Sequence, residues 1–71
     1  MAMNSLIQVE IEGQVLTLRP FTRVSDLLRE MGLHPEATLV VVNGRPAPER
    51  MYLSRGDRIE FVKVTIHFPG A

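Results

Sequence analysis

Ile7, Val9 and Ile11 alternate with Gln8, Glu10 and Glu12, a period-two pattern that predicts a half-buried strand. Glu12-Gly13-Gln14 reads as a short turn whose glycine can take positive φ. Leu16 and Leu18 then alternate with Val15, Thr17 and Arg19, giving a second strand and with it an antiparallel hairpin. Pro20 ends that strand because it offers no ladder donor. Val24, Leu27, Leu28 and Met31 recur at helical spacing, with Ser25, Asp26, Arg29 and Glu30 on the opposite side. This predicts an amphipathic helix over residues 24–31. Thr22 is the expected N-cap, Gly32 the expected C′ residue, and Pro35 blocks continuation.

The second half alternates less cleanly. Thr38 to Val42 is a β-branched run, apolar on both sides, and reads as an interior strand. Asn43-Gly44 is a strong turn signal. Pro46 and Pro48 make the next segment irregular or an edge, and Tyr52-Leu53 a short strand or packed loop. Ser54-Arg55-Gly56-Asp57 is a second turn; it contains an Arg-Gly-Asp tripeptide that reads as a glycine turn rather than an adhesion motif. The last strand runs from Arg58 to about Ile66. Ile59, Phe61 and Lys63 share one of its faces, and Glu60, Val62, Val64 and Ile66 share the other. Either a bulge shifts the register so that the late valines are buried, or the second face carries an exposed apolar patch, joined by Val40 or Val42 from a neighbouring strand.

Two strands, a helix and further strands imply an α+β domain. The expected architecture is a β-grasp, or ubiquitin-like, fold: a mixed four- to five-stranded sheet with one helix packed on one face. Its first and last strands lie parallel and central. Residues 1–71 form one domain, with a flexible N-terminus at 1–5 and a flexible tail at 67–71.

Composition removes most function classes. The 71 residues contain no cysteine, hence no disulfide, thiolate zinc site or thiol nucleophile. Eight basic residues balance eight acidic ones, which argues against bulk electrostatic attraction to nucleic acid or an anionic membrane. Seven of the basic residues are arginine, and Lys63 is the only lysine. The longest apolar run, Leu39 to Val42, is far short of the ~20 residues of a membrane span. The N-terminus lacks the basic start and apolar stretch of a signal peptide, so a cytoplasmic location is expected.

Candidate chemistry is sparse. His34 and His67 have no ligand partner at metal spacing and read as surface residues. Ser5, Ser25 and Ser54 lack a nucleophile context, and Glu10 and Glu12 read as solvated carboxylates on an outward face. Two features remain. The first is the apolar outer face of the last strand, Val62, Val64, Ile66 and Phe68, of the kind that marks docking surfaces. The second is the tail ending in Gly70 and Ala71, slim enough to enter another protein's active site.

These residues resemble a known family. Val24-Ser25-Asp26-Leu27-Leu28, ending Met31-Gly32-Leu33, resembles the helix of ThiS and MoaD, the ubiquitin-like sulfur carriers. Val40-Val41-Val42-Asn43-Gly44 followed by Gly56-Asp57-Arg58-Ile59-Glu60-Phe61 is similar to their Asn-Gly and Gly-Asp signature. Ile66-His67-Phe68-Pro69-Gly70-Ala71 resembles their ending. The likeness is closer to ThiS, because the chain is short and ends with His-Phe.

The resemblance implies a carrier with no catalytic centre and no bound cofactor. An E1-like adenylyltransferase of the ThiF or MoeB type adenylates its C-terminal carboxylate with ATP. The carboxylate becomes a thiocarboxylate, and the sulfur passes to a synthase of the ThiG or MoaE type, in thiamin (thiazole) or related cofactor biosynthesis. The functional residues under this reading are Gly70 and Ala71 at the sulfur-carrying end and Val62, Val64, Ile66 and Phe68 at the docking face. The family ends Gly-Gly, whereas this chain ends Gly70-Ala71; the extra methyl crowds an adenylation pocket and removes freedom at positive φ. The alternative is a non-catalytic β-grasp interaction module like TGS domains, which carry a similar Asn-Gly and Gly-Asp pattern. Nucleic-acid binding through Arg45, Arg50, Arg55 and Arg58 would need a contiguous basic face and lacks interleaved aromatics.

Overall fold

A computed structural model describes residues 6–64. Strand β1 (Ile7–Ile11) and strand β2 (Gln14–Leu18) form the predicted hairpin, in register from Ile7 opposite Leu18 to Ile11 opposite Gln14. Glu12 and Gly13 both adopt positive φ (52° and 85°), the pair of left-handed residues that a tight two-residue turn between twisted strands requires. Helix α1 (Val24–Glu30) buries Val24, Leu27 and Leu28. A 3₁₀ turn (Pro35–Ala37) leads into strand β3 (Thr38–Val42), a two-residue strand β4 (Arg45–Pro46), and strand β5 (Arg58–Lys63).

The sheet order is β2-β1-β5-β3-β4. Strands β1 and β5 are central and parallel, and the remaining pairs are antiparallel. This is the five-stranded ubiquitin-like β-grasp that the element order implies, with a helix crossing over one face. Ile7, Val9 and Ile11 of β1, Val40 and Val42 of β3 and Ile59 of β5 project onto Val24, Leu27, Leu28 and Leu53. An amphipathic helix of two turns has too little intrinsic stability to stand alone, so burial on this face holds it.

Several local expectations are corrected. The residue before the helix is Arg23, not Thr22: Asp26 Oδ2 accepts from the Arg23 backbone N–H at 3.0 Å, while the Thr22 hydroxyl donates to the Arg19 carbonyl. The helix stops one residue early at Glu30, and Met31, expected on the buried face, is exposed. Gly32 takes φ 72° as the left-handed stop. Leu16 is also exposed, because β2 is the sheet edge and α1 does not reach over it fully. Glu12 is not simply solvated. Beyond Ile11 the parallel partner of β5 has turned away, and Glu12 Oε2 accepts the Phe61 backbone N–H at 2.8 Å in its place.

Candidate functional site

The outer face of the sheet carries the candidate site. Pairing of β3 with β5 is continuous, from Thr38 opposite Lys63 through Leu39 opposite Val62 to Val42 opposite Ile59. No bulge interrupts it, so the late valines are not rotated into the core. Val62 is 47% exposed and Val64 46% exposed. The expectation that Val40 or Val42 joins this patch is wrong: both lie on the opposite face and are buried in the core. Their cross-strand partners are Phe61 and Ile59, which share their face. The residue that joins Val62 is Leu39, directly opposite it and 41% exposed, with half-buried Val41 further along.

Leu39, Val62 and Val64 thus form a strip of large apolar side chains with no cover from their own chain among the described residues. Just past the last residue of β5, the Val64 backbone N–H donates to the Ala37 carbonyl at 2.9 Å. Ile66, Phe68, Gly70 and Ala71, the remaining predicted site residues, lie outside the described residues, as do the segments 1–5 and 67–71 that the sequence marks as flexible.

The Asn43-Gly44 and Gly56-Asp57 motifs meet in space. Asn43 Nδ2 donates to Asp57 Oδ1 at 3.0 Å, and the Ser54 N–H donates to Asp57 Oδ2 at 2.7 Å. Asn43 Oδ1 accepts from the Arg58 N–H at 2.9 Å. Asp57 is the one buried charged residue among those described, and its carboxylate is consumed by these bonds. The constellation is a clasp between the β3–β4 turn and the start of β5. Its polar groups are satisfied within the chain, so it ties the two turns of the sheet together.

At the far end of α1, Phe21 is highly exposed at φ 65° and meets Tyr52 edge to face at 6.2 Å. Arg23 lies over the Tyr52 ring at 4.9 Å and donates to its hydroxyl. That bond pushes the guanidinium pKa further up. Arg58, one of the arginines of the nucleic-acid reading, faces Glu10 at 3.9 Å, with both side chains well exposed. Among the described residues no cluster of His, Asp and Glu could hold a metal ion, and no helix is long and apolar enough to cross a membrane.

These features define a ubiquitin-like β-grasp protein, with a clasped sheet and, among the described residues, an exposed apolar strip at the end of β5. The sequence model of the family "small archaeal modifier protein 2" matches residues 6–65, and the chain belongs to that family. Solved structures agree on the fold. The ubiquitin of Caldiarchaeum subterraneum superimposes with a TM-score of 0.55 at 16% identity, covering 86% of this chain and 94% of that one. A computationally designed protein based on human erythrocytic ubiquitin gives 0.53 at 23% identity, covering 93% and 98%. No curated protein matches. The resemblance to ThiS and MoaD therefore holds at the level of ubiquitin-like carriers and modifiers, and not for ThiS in particular. Modifiers of this kind work with E1-like activating enzymes.

Proposed function

We propose that this protein is a carrier and modifier whose C-terminal carboxylate, at Ala71, is activated by an E1-like partner. A carboxylate resists nucleophiles until it is converted to a mixed anhydride. The partner transfers AMP from ATP to the carboxylate and releases pyrophosphate, and the carbonyl carbon becomes electrophilic. A hydrosulfide-level nucleophile then displaces AMP to give a thiocarboxylate, which supplies sulfur to a synthase of the ThiG or MoaE type. A primary amine displaces AMP to give an amide, the linkage that the word modifier in the family's name describes.

The observation that carries this reading is the Leu39–Val62–Val64 strip. A chain of this size has little apolar surface to spare, and exposing three large aliphatic side chains together is characteristic of a docking face. It lies where residues 65–71 begin, so a partner seated on it is placed to receive the chain's end. Intact-mass measurement after incubation with ATP, the E1-like enzyme of the same organism and a sulfur donor tests it. The expected result is the mass gain of one oxygen-to-sulfur exchange at the C-terminus, larger in yield for Ala71→Gly. No gain, with an enzyme that activates another member of the family, refutes the thiocarboxylate branch.

A further inference from the structure

The two edges of the sheet differ. The β4 edge is two residues long, contains Pro46 and is followed by Pro48; a short strand with proline is one way a protein keeps an edge from recruiting another strand. The β2 edge has no such protection. Gln14–Leu18 runs for five residues without proline, charge or bulge, and Val15 and Leu16 are exposed on its two faces. We infer that β2 pairs antiparallel with β2 of a second copy, centred on Leu16, so that the two sheets become one.

The backbone fixes which groups are free to pair. The Glu10 and Glu12 N–H groups donate toward β5, to the Asp57 and Ile59 carbonyls, so Val9 and Ile11 turn theirs toward β2. Val9 pairs with Leu16 and Ile11 with Gln14, and these partners turn their backbone groups inward in return. Val15 and Thr17 therefore aim N–H and C=O outward, where no described strand pairs with them. An antiparallel second β2 meets this row with an identical one. With Leu16 opposite Leu16, Val15 stands opposite Thr17 of the second copy and exchanges both backbone bonds with it, and the twofold axis repeats the exchange.

The side chains agree with this register. Leu16 lies on the helix side of the sheet, where its cross-strand partner Val9 is buried, yet α1 leaves it 38% exposed. In the dimer it packs on Leu16 of the second copy across a non-hydrogen-bonded pair, the closer of the two antiparallel spacings. On the outer face Val15 meets Thr17, two β-branched residues that suit a cross-strand pair. Glu12 precedes the strand and Arg19 follows it, so antiparallel pairing sets Arg19 beside the Glu12 end of the second copy, whereas parallel pairing sets like charges together. The formal net charge is +0, and two copies approach without bulk repulsion. Strand β1 separates β2 from β5, so the Leu39–Val62–Val64 strip stays uncovered in both copies. One pair of strands makes a small interface, and the dimer is accordingly weak and concentration-dependent.

The absence of cysteine lets single introduced thiols report the register. Leu16→Cys, Val15→Cys and Thr17→Cys are each oxidised under the same mild conditions at high protein concentration. In the proposed register only position 16 meets itself, at a Cα separation of about 4.5 Å that a disulfide spans. The expected result is a disulfide-linked dimer forming about tenfold faster from Leu16→Cys than from the other two. Sedimentation equilibrium of the wild type and of Thr17→Pro, which removes an outward N–H and leaves the ladder to β1, supplies the second readout. The wild-type apparent mass should rise with concentration toward twice that of one chain, and Thr17→Pro, shown to be folded by circular dichroism, should stay at one. If Thr17→Pro does not fold, the cysteine rates decide. A wild type that stays single at about 1 mM, equal cross-linking at the three positions, or association that folded Thr17→Pro leaves intact overturns the inference. No ATP or activating enzyme enters these experiments, so the activation reading stands or falls separately.

Discussion

Replacing Asp57 with alanine tests whether the paired turn motifs form a clasp that holds the sheet. A 71-residue chain has a total stability of roughly 4–10 kcal/mol at typical values per residue. The substitution strips the acceptor from two donors, Asn43 Nδ2 and the Ser54 N–H. Hydrogen bonds to a charged group contribute about 1.5–3 kcal/mol each when buried. Because Asn43 is exposed, about half of that applies to the pair, a loss of about 1.5–3 kcal/mol. For a domain this small that lowers the melting temperature by roughly 10–20 °C. Urea titration followed by circular dichroism reads it as a fall in midpoint at constant slope. Asn43→Ala loses two bonds as well and strains a residue at φ 54°; Asn43→Gly separates the two effects, since glycine keeps the turn and loses only the bonds. The Asn43→Ala, Asp57→Ala double variant should be less destabilised than the sum, by about 1 kcal/mol, because the residues share a bond. A loss below about 0.5 kcal/mol for Asp57→Ala, or strict additivity, refutes the clasp.

Three further outcomes follow from particular contacts. Leu39→Ala with Val62→Ala should leave folding stability within about 1 kcal/mol, since both side chains are already partly in water. The pair should also weaken calorimetric affinity for the activating enzyme by about 30-fold, from ~1 kcal/mol of remaining burial at each residue; unchanged affinity moves the docking face elsewhere. Phe21→Asn should alter stability by less than about 1 kcal/mol, because relief of a bulky residue at positive φ offsets the lost contact with Tyr52; a loss of the ~3 kcal/mol typical of a core aromatic contradicts its exposure. Asp26→Ala removes the acceptor at the helix start and should lower the melting temperature by about 4–8 °C, for a cap of ~1 kcal/mol.

The hairpin, the helix and the parallel pairing of first and last strands were legible because each carries its own signal. Ile7, Val9 and Ile11 alternate cleanly, and Val24, Leu27 and Leu28 keep helical spacing up to a glycine. The Thr38–Val42 run carries no such signal. It is apolar at every position after Thr38, so periodicity cannot say whether Leu39 or Val40 faces the helix. Only its pairing with β5, fixed by Val42 opposite Ile59, sends Val40 inward and Leu39 outward. The neighbour of Val62 on the outer face is therefore Leu39 rather than Val40 or Val42, while Val62 and Val64 lie exposed on the face their alternation implies. Glu12 was misread for a related reason: its alternation marks it as outward, while its bond to Phe61 depends on where β1 stops relative to β5. The left-handed backbone at Phe21 has no mark in the sequence, since a phenylalanine is an improbable residue for it.

The central claim is that a partner enzyme docks on one face and spends ATP on the end of this chain. ATP–pyrophosphate exchange by the E1-like enzyme tests it most directly, measured with the full chain and with residues 69–71 removed. The account predicts exchange that requires the full chain and disappears with the truncation, while the truncated protein still competes for the enzyme through its intact Leu39–Val62 face. Exchange that proceeds equally with the truncated chain, or that never depends on this protein, would contradict it.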